Sequence, residues 1–327
     1  MVSLKVNVII PVAGEGTRLR PHTHSVPKSL LYVAGKPILG HILDSLQDLD
    51  ISNLSIVLGA RGQAIVDFCG KYPYEFRYVL QEQRLGLGHA IRLGAQGLEG
   101  ATLVLLGDTI IDIDYNKILD RSINVLAVRE VADPRKYGVV EVKDDHVVDL
   151  IEKPKQPRSN LAIVGLYYFQ DIAKVADAVG YIMKNEIKTK DEYQLTDALR
   201  HLLERGEKFK IHKIEGWYDC GTAASLIDAN RHLLERTQYY TQRERSIIIP
   251  PVYIADSATL SETVIGPYVS LGEEVTVKNS VIKDSIINRG AAVENALLTG
   301  SIIGEHACVR GGYKKLNVSE SSVVEIP

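Results

Sequence analysis

Short apolar runs alternate with amphipathic stretches over roughly the first two thirds of the chain. Residues 6–12, 54–58, 102–106 and 124–128 are nearly continuous in Val, Ile and Leu, the pattern of strands buried on both faces. Between them, residues 38–49, 62–69 and 88–96 carry their apolar positions at helical spacing. Strand–helix alternation predicts an α/β domain with a Rossmann-like, mostly parallel sheet covered on both faces. Such sheets bind ligands at the carboxyl ends of their strands. That rule puts the turn after Val12, and Gly107-Asp108 after Leu106, at the ligand edge.

Past Pro250 the period changes. Ile254, Leu260, Ile265, Leu271, Val277, Ile282, Ile287, Val293, Leu298, Ile303 and Val309 follow one another at intervals of five or six, with small and polar residues between. Helices need a period near 3.6 and half-buried strands a period of 2. A period of five to six is that of the hexapeptide coils of a left-handed parallel β-helix, whose aliphatic residues point inward. A β-sandwich fits less well, because Asn-Gly turn dipeptides are missing. The chain thus divides into an α/β domain (1–235), a linker (236–251) holding Tyr239 and Tyr240, and a short β-helix (252–327). Coils this few bury little by themselves, so the repeats are expected to serve assembly into a homo-oligomer, or regulation.

Composition narrows the function classes. With 327 residues, 45% of them hydrophobic, each domain can bury a core. The net charge of −3 argues against a nucleic-acid partner. No apolar run reaches transmembrane length and no basic-then-apolar leader opens the chain, so no membrane partner is expected. Cys69, Cys220 and Cys308 lack C-x-x-C spacing and read as reduced thiols, which points to a cytoplasmic protein without structural zinc.

The first strand leads into Ala13-Gly14-Glu15-Gly16-Thr17-Arg18, and Pro27-Lys28 follows. Glycines let backbone N–H groups approach phosphate, and fixed cations neutralise it. The turn is neither a P-loop nor a full G-x-G-x-x-G fingerprint. The string AGEGTRLRP, with Lys28 ten residues after Arg18, resembles the signature of sugar-1-phosphate nucleotidyltransferases. The glucose-1-phosphate thymidylyltransferases and UDP-glucose pyrophosphorylases are the nearest in pattern. The resemblance spans residues 6–230, in several motifs in family order.

It implies a reaction between an NTP, here dTTP or UTP, and a hexose 1-phosphate, with release of pyrophosphate and with Mg²⁺ as cofactor. Arg18 and Lys28 are then the catalytic cations. Asp108, after the strand LVLLG, and Asp219, in WYDCGT, are the expected metal ligands, although Asp108 taken alone also suits a turn or helix cap. Ala13, Gly14, Gly16, Thr17, Gln81 and Gly86 fall in nucleotide-binding positions, with the Gln81 amide facing a pyrimidine edge and Gly86 leaving room for the ring. Gly138, Glu152, Lys153, Gly165, Tyr167 and Glu192 fall in sugar-phosphate positions. Thr196 or Asp197 reads as a helix cap, and His89 as structural. Tyr32, Thr109, His22 and His24 depart from the family pattern, and these departures bear on the loop path and on substrate choice. The competing functions are a catalytically inactive regulatory homologue, which should have lost a cation or a metal acid, and a bifunctional enzyme whose β-helix transfers acyl groups through His306.

Overall fold

The computed structural model describes residues 5–119, 122–236 and 242–312. Tyr239 and Tyr240 of the expected linker, and the end of the chain from residue 313, lie outside the described residues. The chain forms two compact units. One holds the residues up to Tyr32 and Lys36–Ala229; the other holds Val33–Gly35 and the residues from Asn230 onward.

A nine-stranded sheet forms the first unit, in the order Phe76–Leu80, Ile51–Leu58, Val6–Pro11, Thr102–Leu105, Leu161–Phe169, Asn124–Glu130, Phe209–Lys213, His146–Glu152, Gly138–Lys143. The first four strands run parallel, three of them on the apolar runs 6–12, 54–58 and 102–106 and the edge strand Phe76–Leu80 without such a signal, and so do Asn124–Glu130 and Phe209–Lys213. Leu161–Phe169 enters antiparallel between Thr102–Leu105 and Asn124–Glu130. The last two strands form an antiparallel hairpin, so the α/β sheet is mixed on that side. Leu161–Phe169 is buried at every position because it has neighbours on both edges and cover on both faces.

The helices Leu87–Gly94, Ile172–Lys184 and Leu195–Glu204 lay their apolar stripes on this sheet. Ile91, Val175, Val179 and Leu199 join Ile9, Val57, Val104 and Phe169 in one core. Full burial of each such aliphatic side chain stabilises by about 1.5–3 kcal/mol before the entropy of ordering is subtracted.

The second unit is a β-helix. Three flat sheets of four short parallel strands repeat with registers such as Val252↔Val269, Thr259↔Thr276 and Val281↔Leu297. The aliphatic series from Ile254 to Val309 faces inward, and Ile265, Leu271, Val277 and Ile282 have no solvent exposure. The repeat starts earlier than its sequence signal, because Ser246–Ile248, inside the expected linker, is the first rung of one sheet. At a coil corner the His306 ring lies where a Cβ on Gly290 would be, so this position needs glycine. Among the described residues, no helix is long and apolar enough to cross a membrane.

Candidate active site

The carboxyl ends of the strands Val6–Pro11 and Thr102–Leu105 open onto a cleft of about 750 Å³ in the first unit. At one end lies the glycine turn. Gly16 takes φ 65°, and a Cβ there would sit 2.9 Å from Thr23 Cγ2. Thr23 Oγ1 donates to the Gly16 carbonyl at 2.8 Å, which folds the loop back so that Lys28, at the start of a short 3-10 turn, meets the cleft. Gly16 and Thr17 shape this turn without lining the cleft, whereas Ala13, Gly14, Arg18 and Lys28 line it.

The two carboxylates meet through a small ladder. Gly216–Asp219 pairs antiparallel with Thr109–Asp112, placing Asp219 opposite Thr109, and the Cys220 N–H donates to the Asp108 carbonyl at 3.1 Å. Asp108 and Asp219, more than a hundred positions apart in the chain, therefore become neighbours. Lys28 Nζ donates to Asp108 Oδ2 at 2.6 Å. Burial, and then the charge of Asp108, push the Asp219 carboxyl above its ordinary value, while Lys28 and Arg18 pull it down. Gly221 packs close here, since a Cβ would come within 2.9 Å of Asp219 Oδ1 and 3.0 Å of an Arg18 guanidinium nitrogen and would displace one of these side-chain ends.

These donors fit a magnesium ion. Mg²⁺ takes one or two carboxylates and completes its shell with water and substrate phosphate. Asp219, whose carboxyl is held up first by burial and then by the charge of Asp108, forms with Asp108 a pair that a cation would relieve. Among the described residues no group of three or more metal-ligating side chains occurs.

Gln81, Arg84, Gly86 and Leu87 form another wall. Gly86 adopts φ 113°, and a Cβ there would meet the Tyr193 carbonyl oxygen at 2.7 Å. Its glycine thus serves the approach of two backbones, a requirement beside the ring clearance expected from the sequence. The Gly88 N–H donates to the Tyr193 carbonyl at 2.9 Å and the Tyr193 N–H to the Leu85 carbonyl at 2.8 Å, which ties segment 85–88 to segment 192–194. Arg84 also pairs with Glu15, joining this wall to the glycine turn.

Gly138, Glu152, Lys153, Gly165, Tyr167 and Glu192 line the cleft as well. Thr196 Oγ1 donates to Glu152 Oε2 at 2.8 Å, and Lys153 Nζ stands 3.1 Å from Glu152 Oε1. A Cβ on Gly138 would press on both Thr196 Oγ1 and Glu152 Oε2. Gly165, at φ 85°, makes an irregularity in its strand against Leu106. Gln194 Nε2 donates to Glu192 Oε2 at 2.9 Å. The helix Leu195–Glu204 has Gln194 at its cap position without a side-chain cap, so neither Thr196 nor Asp197 caps it; Thr196 is turned toward Glu152 instead.

Sequence reasoning passed over Ser29, Arg84 and Lys136, which also line the cleft. Lys136 follows Asp133-Pro134, and the Asp133 side chain accepts from the Arg135 N–H, so this capped turn was the available signal. Arg84 carried none beyond its charge.

A profile of the nucleotidyl transferase family matches residues 7–236. The chain belongs to that family, within its sugar-1-phosphate nucleotidyltransferases, and carries hexapeptide-type repeats behind the catalytic domain. It is similar to the bifunctional protein GlmU of Methanocaldococcus jannaschii, at 32% identity over 92% of this chain and 78% of the relative. It is also similar to a glucose-1-phosphate thymidylyltransferase of Streptomyces griseus, at 30% identity over 93% of each. Among solved structures, a UDP-glucose pyrophosphorylase complexed with UDP-glucose superposes with a TM-score of 0.61 at 25% identity, covering 72% of this chain and all (100%) of that one.

Proposed function

We propose that the protein joins a hexose 1-phosphate, glucose 1-phosphate first among candidates, to UTP or dTTP and releases pyrophosphate. The observation that supports this most is that one cleft is lined by two separate polar groups. Lys28 pairs with Asp108, and Asp219 feels the charges of Asp108, Lys28 and Arg18; Glu152 is held by Thr196 and Lys153 beside Gly138. The first group suits a triphosphate and its counter-ion; the second suits sugar hydroxyls and a monoester.

In this reading a phosphate oxygen of the sugar phosphate attacks the α-phosphorus, and the bond to the bridging oxygen of the pyrophosphate breaks. The nucleophile is already an anion, so no side chain has to remove a proton. What remains is alignment and charge neutralisation. Arg18 and Lys28 hold the triphosphate, and Lys28 exchanges its Asp108 partner for phosphate oxygen. Glu152, oriented by Thr196, and Glu192, oriented by Gln194, accept hydrogen bonds from sugar hydroxyls. Lys153 meets the sugar's phosphate. Magnesium held by Asp108 and Asp219 would supply further positive charge to the phosphates.

The Gln81 amide reads the base. Thymine and uracil differ by one methyl group, and a contact of that size discriminates by roughly 10–200-fold at most. Pyrophosphate release measured over a grid of NTPs and sugar 1-phosphates, with and without Mg²⁺, tests the proposal. Turnover confined to UTP or dTTP with a hexose 1-phosphate supports it. A chain inert with every pair overturns it.

A further inference from the structure

We propose that His89 is the positioning residue that decides which end of the Gln81 amide faces the nucleobase, and so sets a preference for bases that carry an imide N–H. The inference rests on the nucleotidyltransferase reading of the cleft and adds a residue to it.

Gln81 lines the cleft, yet its side chain is almost wholly buried, at 5% exposure. The backbone N–H donates to the Leu58 carbonyl at 2.8 Å, which fixes where the side chain starts. Two groups then meet the inner end of the amide. The Gly86 carbonyl oxygen lies 3.2 Å from Nε2, and His89 Nδ1 also lies 3.2 Å from it. A carbonyl oxygen only accepts, so the NH₂ end must face Gly86. The NH₂ has two hydrogens, and the second points at Nδ1 when that nitrogen is unprotonated. His89 is then the Nε2–H tautomer. Burial, the largest cause, and the nearby Arg92 hold the ring below its ordinary value, with the backbone of Gln83 opposing them, and the net direction favours the neutral ring.

Both hydrogens of the amide are thereby used inside the wall. The oxygen is the atom left for the ligand. It accepts from N3–H of uracil or thymine. Cytosine presents an unprotonated N3 at the same place, two acceptors then face each other, and CTP is rejected. Were the amide reversed, its oxygen would stand against the Gly86 carbonyl and an unprotonated Nδ1 together. His89 adds the second of these oppositions.

The test uses the full chain with His89→Leu and His89→Asn. Asn places its Oδ1 the same number of bonds from the backbone as Nδ1, so it restores the acceptor without the ring. For wild type, kcat/KM with UTP or dTTP exceeds that with CTP. In His89→Leu this ratio narrows about tenfold, the worth of one net hydrogen bond, and His89→Asn returns it to within about threefold of wild type. If both nucleotides lose equally and the ratio stays constant in His89→Leu, the residue is merely structural and the proposal fails.

A second readout does not need turnover. Imidazole ¹⁵N–¹H correlation spectra, assigned by the signal lost in His89→Asn, should show His89 protonated at Nε2 alone. Protonation at Nδ1 overturns the proposal whether or not the chain is active. A chain with the expected tautomer but inert with every NTP overturns the functional reading instead.

Discussion

Replacing Lys28 by Met separates the chemistry of the cleft from its stability. Met keeps the unbranched stem that packs behind the glycine turn and removes only the ammonium. The Lys28 side chain is 9% exposed, and its ammonium sits 2.6 Å from Asp108 Oδ2. At an effective dielectric constant of about 20, one unit charge acting on another across about 4 Å amounts to roughly 4 kcal/mol. Removal of one preorganised donor from developing charge costs about 2.7–4 kcal/mol, a fall of about 10²–10³ in kcat. The two arguments agree, so kcat should drop by about 10²–10³. Stability should respond far less. Asp108 is 39% exposed, so water can solvate it once its partner has gone. A pair of that exposure contributes about 1 kcal/mol or less, a melting shift of about 2–4 °C for a domain of this size. The assay is pyrophosphate release at saturating substrates, paired with a thermal melt on the same preparation. A variant that keeps kcat within about threefold of wild type, or one that loses activity only in step with its folded fraction, would refute the reasoning.

Three further outcomes follow from the same geometry. Asp219 has its pKa raised in the folded chain above the ordinary 3.8, so folding is favoured by its proton: that stability is full below 3.8 and is lost as pH rises through the folded value. Asp219→Asn should therefore melt higher than wild type at pH 7, show no such gain at pH 3, and release no pyrophosphate. Thr196→Val removes the hydroxyl that donates to Glu152; KM for the sugar phosphate should rise about tenfold with KM for the NTP unchanged, and an equal rise in both would count against the assigned roles. Ile282→Ala empties a fully buried site inside the β-helix and should cost about 2–5 kcal/mol, read as an earlier denaturant midpoint of the strand-rich transition; an unshifted midpoint would place the side chain outside the core.

Much of this was legible because local rules and tertiary structure agree. The apolar run before Ala13 is a strand, and the five-to-six period from Ile254 onward is the inside of the coils. Leu161–Phe169 was harder to read. A strand buried on both faces has no alternation, and nothing in its composition says that it runs against its neighbours. In the cleft, the chain places together every residue expected to be catalytic or to bind nucleotide, sugar phosphate or metal, except Gly16 and Thr17, which build the turn behind it. What these side chains hold was not legible. Lys28 rests on Asp108, 80 positions away, and Thr196 on Glu152, 44 away. No period links such pairs, and only the folded sheet brings them into reach. Gly86 illustrates the same limit, since the residue type was read and the approach of the Tyr193 backbone was not.

The β-helix registers advance by whole turns, with Val252 over Val269 and Ala292 over Cys308. Length along that axis is consequently a modular quantity. Duplicating or deleting one full turn leaves every remaining aliphatic residue stacked on another, and changes only how far the prism extends. A single inserted residue within a strand has no such neutral outcome, because it turns that rung's interior side chain toward water. Evolution and engineering can therefore lengthen this half of the molecule in whole turns, while one-residue changes are taken up between the strands, as the step of 17 positions from Val252 to Val269 against 16 from Ala292 to Cys308 shows.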